Sequence, residues 1–275
     1  MTGYQEGDAV VLTLTWFCGR CRNCVQGKTN ACLVEGSRTG ITRTPGVGPD
    51  GGMADYVKVK ALHVDPIGDL DPVTAAPLAD AGTTPMHAIN SARTALTPDA
   101  TVVLIGVGGP GHLGLQILKA TTASRIIALD TDTTKLNVAR THGADVVLPS
   151  DASAVGKILE LTDGVGADVV FDFVGVQPTV TLARSVVANR GVLRIVGLGG
   201  GSFEFTANGS GDVLPWGVNV QRPNGGTHQD LREVIALAQQ GKLHVENTTY
   251  PLGDFQKAVD DLHHGRVAGR AVLIP

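Results

Sequence analysis

Cysteine is absent from this chain except between residues 18 and 32, where all four of its cysteines fall. A secreted disulfide framework spreads its cysteines so that bridges staple distant segments; one tight cluster excludes that class and points to metal. Aromatic residues are scarce, at 4%. Cations are in no excess either: the net charge is −4, without the basic surplus that a nucleic-acid binder presents. No apolar run reaches the ~20 residues that a membrane-crossing helix needs, and the opening MTGYQEGD lacks the apolar stretch of a secretory signal. The expectation is a soluble cytoplasmic protein with neither nucleic-acid nor membrane partner. What is plentiful is glycine, 36 residues, within a chain of 275 that is 43% hydrophobic. That length suits one large domain or two ordinary ones, and glycine among many valines, isoleucines and alanines favours an α/β fold with tight strand-to-helix turns.

From about residue 101 the apolar pattern alternates between strand and helix periods. TVVLIG (101–106), RIIALD (125–130), VVL (146–148), DVVFDFVG (168–175) and VLRIVG (192–197) read as strands. The stretch behind Gly111, residues 133–142 stopped by Gly143, residues 155–164 on Val155, Ile158 and Leu159, and a segment around 178–189 read as helices. Strands that are apolar throughout are buried on both faces, which implies a parallel sheet with crossover helices. The flanks differ. PGVGPDGGM at 45–53 and the short runs AVVLTLTWF, DYVKV and HVDPIGDL suit an irregular β region. A helix over 230–240, a strand-like VENTTY, a helix built on Phe255, Val259 and Leu262, and a final strand AVLI close the chain. The expected divisions are 1–84, 85–225 and 226–275, without internal repeats.

The cysteines are spaced Cys18-x2-Cys21-x2-Cys24-x7-Cys32. Four thiolates at about 2.3 Å surround one tetrahedral zinc and leave no open position, so the metal expected here is structural. An iron–sulfur cluster competes, but the ferredoxin run closes after three residues and precedes proline, whereas here the gap is seven and Leu33 follows. A redox CxxC pair would leave two cysteines unexplained.

The run Gly106-Val107-Gly108-Gly109-Pro110-Gly111 is a G-x-G-x-x-G motif, weak alone but here ending one strand and opening one helix. In that context Gly106 allows the tight turn, Gly108 lets the backbone approach a pyrophosphate, and Gly111 lets helix and strand pack closely. The phosphates would sit on the helix N-terminus, with Gly109 in its first turn. Asp130 ends the second strand. It can accept hydrogen bonds from the adenine-ribose hydroxyls of NAD and would repel the 2′-phosphate of NADP. Its alternative reading is a strand-end aspartate that helps to start the next helix.

The cysteine spacing, the GVGGPGHLGLQIL turn and the acidic strand end, in that order, resemble the zinc-containing medium-chain alcohol dehydrogenases, as do GDAV (7–10), APLADAGTTPMHAI (76–89) and GRAVLIP (269–275). The resemblance implies an α/β fold: a doubly wound Rossmann domain plus an incomplete GroES-like, mainly β catalytic domain. It also implies a second, catalytic zinc, held by an early cysteine, a histidine in a Gly-His-Glu motif and a third ligand just before the Rossmann domain. Asp80 stands at the third position, where most members have cysteine and some branches aspartate; its other reading is a helix N-cap. The first two ligands have no counterpart, since every cysteine belongs to the structural site and none of the eight histidines lies in Gly-His-Glu. Met1 aligns inside a segment that normally follows that motif. The expectation is therefore a chain without the family's N-terminal segment, through a misassigned start codon or a real deletion.

Further cofactor positions come from the resemblance. Lys135 corresponds to a lysine that reaches the adenine ribose, Phe173 and Val174 to residues flanking the adenine side, Val196, Gly197 and Leu198 to residues beside the nicotinamide, and Arg270 to a phosphate-binding arginine. Ordinary packing or a solvated charge is the other reading of each. The implied activity is oxidation of an alcohol, secondary by expectation, to a ketone or aldehyde with zinc and NAD, by a homo-oligomer whose sheet continues across a two-fold near Val218 and Val220. The alternative is a non-catalytic fragment that binds NAD and one structural zinc.

Overall fold

Short apolar runs broken by glycine and proline leave the N-terminal stretch with little regular structure. In the computed structural model, which describes residues 3–204 and 214–275, β1 (Val10–Leu12) pairs antiparallel with β2 (Val64–Pro66). Met1, on which the start-site expectation rests, lies outside the described residues. Between the two strands the chain forms one short helix, α1 (Arg22–Val25), inside the cysteine cluster. DYVKV (55–59) forms no strand, and Tyr56 is exposed. α2 (Pro72–Ala75) starts where proline needs no N–H partner, with the Asp71 carboxylate accepting from Thr74 N. α3 (Thr83–Asn90) follows.

Strand and helix then alternate as the apolar runs require: β3 (Thr101–Ile105), α4 (Gly109–Thr121), β4 (Arg125–Asp130), α5 (Thr133–Thr141), β5 (Val146–Pro149), α6 (Ala154–Leu161), β6 (Ala167–Asp172), α7 (Gln177–Val186), β7 (Val187–Ile195) and β8 (Asn219–Gln221). The six strands form one parallel sheet in the order β5-β4-β3-β6-β7-β8. Its central strands are buried on both faces, with Val103, Ile105, Ile127, Val170 and Leu193 in one core cluster. Strand order reverses between β3 and β6, so a crevice opens at their C-terminal ends, where ligands bind in sheets of this kind.

Two boundaries depart from the sequence reading. The helix expected over 155–164 ends at Leu161, because the Thr162 hydroxyl bonds the Ile158 carbonyl and Asp163 takes a positive φ of 51°. The helical segment expected to 189 stops at Val186, and β7 starts at once. The pairing then jumps from Ala167↔Val187 to Val169↔Val192, so residues 188–191 bulge out, with Arg190 at φ 60° and its N–H on the Trp216 carbonyl.

The chain closes with α8 (His228–Gln239), capped reciprocally by Thr227 and Asp230, then β9 (Asn247–Pro251), α9 (Phe255–His263) and β10 (Arg270–Ile274), which pairs parallel with β9. α9 forms as expected but with the other face inward. Ala258 is buried, while Phe255, Val259 and Leu262 are 55%, 39% and 58% exposed. Asn224–Pro275 groups with the residues up to His87 in one unit, and Ala88–Pro223 forms the other.

Candidate functional site

Cys21 sits at the N-cap of α1 and Cys24 within it, so one helical turn places two thiols on the same side, and the chain returns Cys32 to them after a 3₁₀ turn over Thr29–Ala31. Cys21 Sγ lies 3.4 Å from Cys24 Sγ and 4.0 Å from Cys32 Sγ, and Cys18 Sγ lies 3.9 Å from Cys24 Sγ. A tetrahedron with bonds of about 2.3 Å has edges of about 3.8 Å, so the four sulfurs already stand at the corners of a zinc site. Among the described residues this is the one group of three or more metal-ligating side chains drawn together. Backbone N–H groups point at the sulfurs: those of Cys18 and Glu35 at Cys32, that of Cys21 at Cys18 and that of Leu33 at Cys21, at 3.3–3.4 Å. Donors on Cys21, from the Cys24 and Leu33 amides, bring its thiol down to about 6, whereas burial pushes Cys24 up to about 12. Burial also raises Cys32, but the Glu35, Cys18 and Val34 amides outweigh it and the net direction is down. The donor set fits a closed structural zinc.

The lobe is tied to the rest of its unit by its own polar residues. Thr29 Oγ1 accepts from the His228 N–H at 2.8 Å, and Asn30 Nδ2 donates to the Asn224 carbonyl at 2.9 Å. Beside His228, Asp65 is buried on β2 and accepts from Arg232 Nε at 2.8 Å and from His228 Nε2. Burial raises the Asp65 carboxyl, but those two hydrogen bonds outweigh it and hold the group below the usual carboxylate range. A depressed folded pKa contributes stability that is fully present above the unfolded value and is lost as pH falls through the folded one. Urea denaturation of the unaltered chain and of Asp65→Asn should therefore differ most near neutrality and converge below about pH 4. A stability gap of constant size across that range would contradict the assignment.

Asp80 and Arg270, expected to hold a metal and a phosphate, hold each other: Arg270 Nη2 donates to Asp80 Oδ2 at 2.7 Å. Nor does the Asp80 side chain accept from an amide at the start of α3; Thr84 N bonds the Asp80 main-chain carbonyl at 3.0 Å. Since no further ligating side chains gather there among the described residues, the residues present do not fit a catalytic zinc.

In the other unit, the turn after β3 has the geometry that its glycines suggest. Gly106 takes φ 89°, and a Cβ on Gly111 would lie 1.8 Å from the Gly106 carbonyl oxygen. A Cβ on Gly108 would meet nothing within 4 Å, and no side chain caps α4, so Gly108 and Gly109 leave room at the helix N-terminus for an anionic group. Asp130 is buried at the end of β4. Its Oδ2 accepts from Val107 N at 2.8 Å and its Oδ1 from Asp132 N at 3.0 Å. The next helix is capped by Asp132, through Thr134 N, and not by Asp130. Lys135 is exposed in the first turn of α5. Phe173 and Val174 follow β6, and Val196 and Gly197 follow β7; the Phe173 amide bonds the Ile105 carbonyl, the Val174 amide the Asp172 carboxylate, and the Val196 and Gly197 amides the Asp172 main-chain carbonyl. Asp172 is buried, and the sequence reading passed over it as part of an apolar strand. Leu198 is 88% exposed. The open cradle at Gly108 and the fixed acid at Asp130 fit a dinucleotide.

Residues 1–69 match the family model described as the alcohol dehydrogenase GroES-like domain, and residues 109–240 the one described as zinc-binding dehydrogenase. The chain is 35% identical to a D-arabinose 1-dehydrogenase (NADP(+)) of Saccharolobus solfataricus, over 98% of this chain and 76% of that protein. It is 32% identical to an NAD-dependent alcohol dehydrogenase of Sulfurisphaera tokodaii, over 100% of this chain and 77% of that one. Among solved structures, the alcohol dehydrogenase of the hyperthermophilic archaeon Aeropyrum pernix aligns with a TM-score of 0.88 at 36% identity, covering 100% of this chain and 78% of that chain.

Proposed function

The chain belongs to the zinc-containing medium-chain alcohol dehydrogenases, and on that premise we propose that it serves the NAD-linked interconversion of a small secondary alcohol and its ketone. The observation that carries the cofactor reading is Asp130, a carboxylate pinned by two amides at the end of β4 beside the glycine turn. A fixed negative charge there favours ribose hydroxyls over a 2′-phosphate. One relative is named for NADP, so the preference for NAD rests on this residue. When bound, the nicotinamide supplies the hydride acceptor. The chain's own part is to hold the pyrophosphate at Gly108 and Gly109, the ribose at Asp130 and Lys135, and the ring beside Val196, Gly197 and Leu198. The four cysteines hold the structural zinc. Calorimetric titration with NAD and NADP tests the reading, and tighter NADP binding would overturn it.

A second reading is favoured by the Asp80–Arg270 pair: residues 1–275 by themselves bind NAD and one zinc without turning over an alcohol. The chain supplies one counterpart of three catalytic-zinc ligands, and that one is engaged by a guanidinium. A catalytic zinc needs three protein ligands and an open fourth position. An NADH-absorbance assay over a panel of primary and secondary alcohols should give no chelator-sensitive rate. Robust turnover that a chelator abolishes would place a catalytic zinc on other residues.

We also propose a homo-oligomer joined at β8. Asn219, Val220 and Gln221 are exposed and pair with β7 on one side, and among the described residues no strand pairs with their other edge; Val218 just before them packs on the sheet core. Sedimentation of the native protein as a stable monomer would overturn this.

A further inference from the structure

Asp172 ends β6 at the point where strand order reverses, in register with Ile105 of β3 and Ile195 of β7. Its side chain is fully buried, and among the described residues the hydrogen-bond partners of the carboxylate are all neutral. Oδ1 accepts from the amides of Val174 and Gly175, both at 2.9 Å, and Oδ2 from the Thr179 hydroxyl of α7 at 2.9 Å. Its main-chain carbonyl accepts from Val196 N at 2.8 Å and Gly197 N at 3.0 Å. A carboxylate buried without a cation is costly to keep unless it is saturated with donors. Here the carboxylate's donors come from the segment after β6 and from α7, while the main-chain carbonyl of the same residue holds the segment after β7.

Those segments interlock without room for adjustment. A Cβ on Gly106 would come within 2.4 Å of Val174 Cγ2, one on Gly175 within 2.3 Å of the Gly197 carbonyl oxygen, and one on Gly197 within 2.1 Å of the Val174 carbonyl carbon. The glycine turn thus packs on the Val174 side chain, and residues 174–175 and Gly197 are stacked backbone on backbone. A displacement of any one moves the others. The Asp172 carboxylate is the side chain that fixes the middle layer.

We propose that Asp172 is a positioning residue for the dinucleotide: through Val174, Gly175 and Thr179 it sets the surface on which the cofactor lies. This rests on the reading of this unit as the NAD site. The carboxylate's work is geometric, as an acceptor. Asparagine can reproduce it, with its carbonyl oxygen on the two amides and its amide nitrogen donating to a Thr179 hydroxyl that turns toward the Val176 carbonyl 3.0 Å away.

The test is calorimetric titration of the full chain with NAD, at a temperature well below the melting point of each variant. Asp172→Ala leaves the Val174 and Gly175 amides, the second of them buried, without an acceptor and should weaken NAD binding roughly tenfold or more. Asp172→Asn should stay within about twofold of the unaltered chain. Thr179→Val, which removes one of the three contacts and keeps the fold if the alanine variant does not, should fall between them. A folded alanine variant with undiminished affinity, an asparagine variant as weak as alanine, or a valine variant indistinguishable from the unaltered chain would each overturn the proposal. Failure of the unaltered chain to bind NAD would instead overturn the cofactor reading itself.

Discussion

Replacing any one of Cys18, Cys21, Cys24 or Cys32 with serine is expected to take the purified protein from about one tightly held zinc to none and to unfold the lobe around the cluster. The size of the effect follows from how little else holds the lobe. Its apolar core is Phe17 with the cysteines themselves, and its regular structure is one four-residue helix and a 3₁₀ turn. Structural zinc contributes roughly 10–16 kcal/mol in small peptides, as much as the whole stability of an ordinary domain, about 5–15 kcal/mol. Elemental analysis reads the metal, and limited proteolysis within residues 18–44 reads the unfolding. Two tightly held zinc ions in the unaltered protein, or iron in place of zinc, would overturn the assignment.

Asp130→Ser should cost NAD affinity without producing an NADP-preferring protein. Serine removes the negative charge that disfavours a 2′-phosphate, so the ratio of NAD to NADP affinity should narrow. But Asp130 also accepts from Val107 N, inside the turn that receives the phosphates, and from Asp132 N. A shorter hydroxyl cannot reach both amides, and a buried amide without an acceptor costs about 1–3 kcal/mol. Absolute affinity for both cofactors should therefore fall by roughly tenfold or more, since 1.4 kcal/mol is a factor of ten. Parallel titrations with NAD and NADP give both quantities. A serine variant that binds NADP as tightly as the unaltered chain binds NAD would show that Asp130 acts through charge alone.

The parts of this molecule that were legible in its sequence are those set over short distances. The zinc lobe lies within residues 18–32, and the short gaps between its cysteines let one loop bring the four sulfurs together. The strand–glycine–helix unit at 101–121 is equally local. The α/β alternation was legible because strands buried on both faces leave continuous apolar runs. Local periodicity stopped short where a partner decides the outcome. Phe255, Val259 and Leu262 make an apolar stripe, but period says that a stripe exists, not what covers it, and Ala258 is the residue turned inward. Asp80 and Arg270 are 190 positions apart in sequence, so their pairing had no local trace. Asp130 carried the alternative reading of a helix start, but the cap is Asp132, two residues on, and which of two nearby acids caps a helix depends on side-chain direction. Asp172 was absorbed into the strand DVVFDFVG, and its meaning came only from the amides and hydroxyl that meet it in the fold.

The unit that contains the cysteines is discontinuous, built from the residues up to His87 and from Asn224–Pro275, whereas Ala88–Pro223 is one unbroken stretch. Synthesis from the N-terminus at about 5–20 residues per second sets an order of events. The continuous unit can close while translation proceeds. The discontinuous one must hold its first stretch open until His228, Arg232 and Arg270 emerge to meet Thr29, Asp65 and Asp80. During that wait of roughly 10 to 40 seconds, metal capture by Cys18, Cys21, Cys24 and Cys32 needs no residue beyond the lobe itself. Zinc supply in the cell would then bear on the yield of nascent chains before it bears on the stability of finished ones.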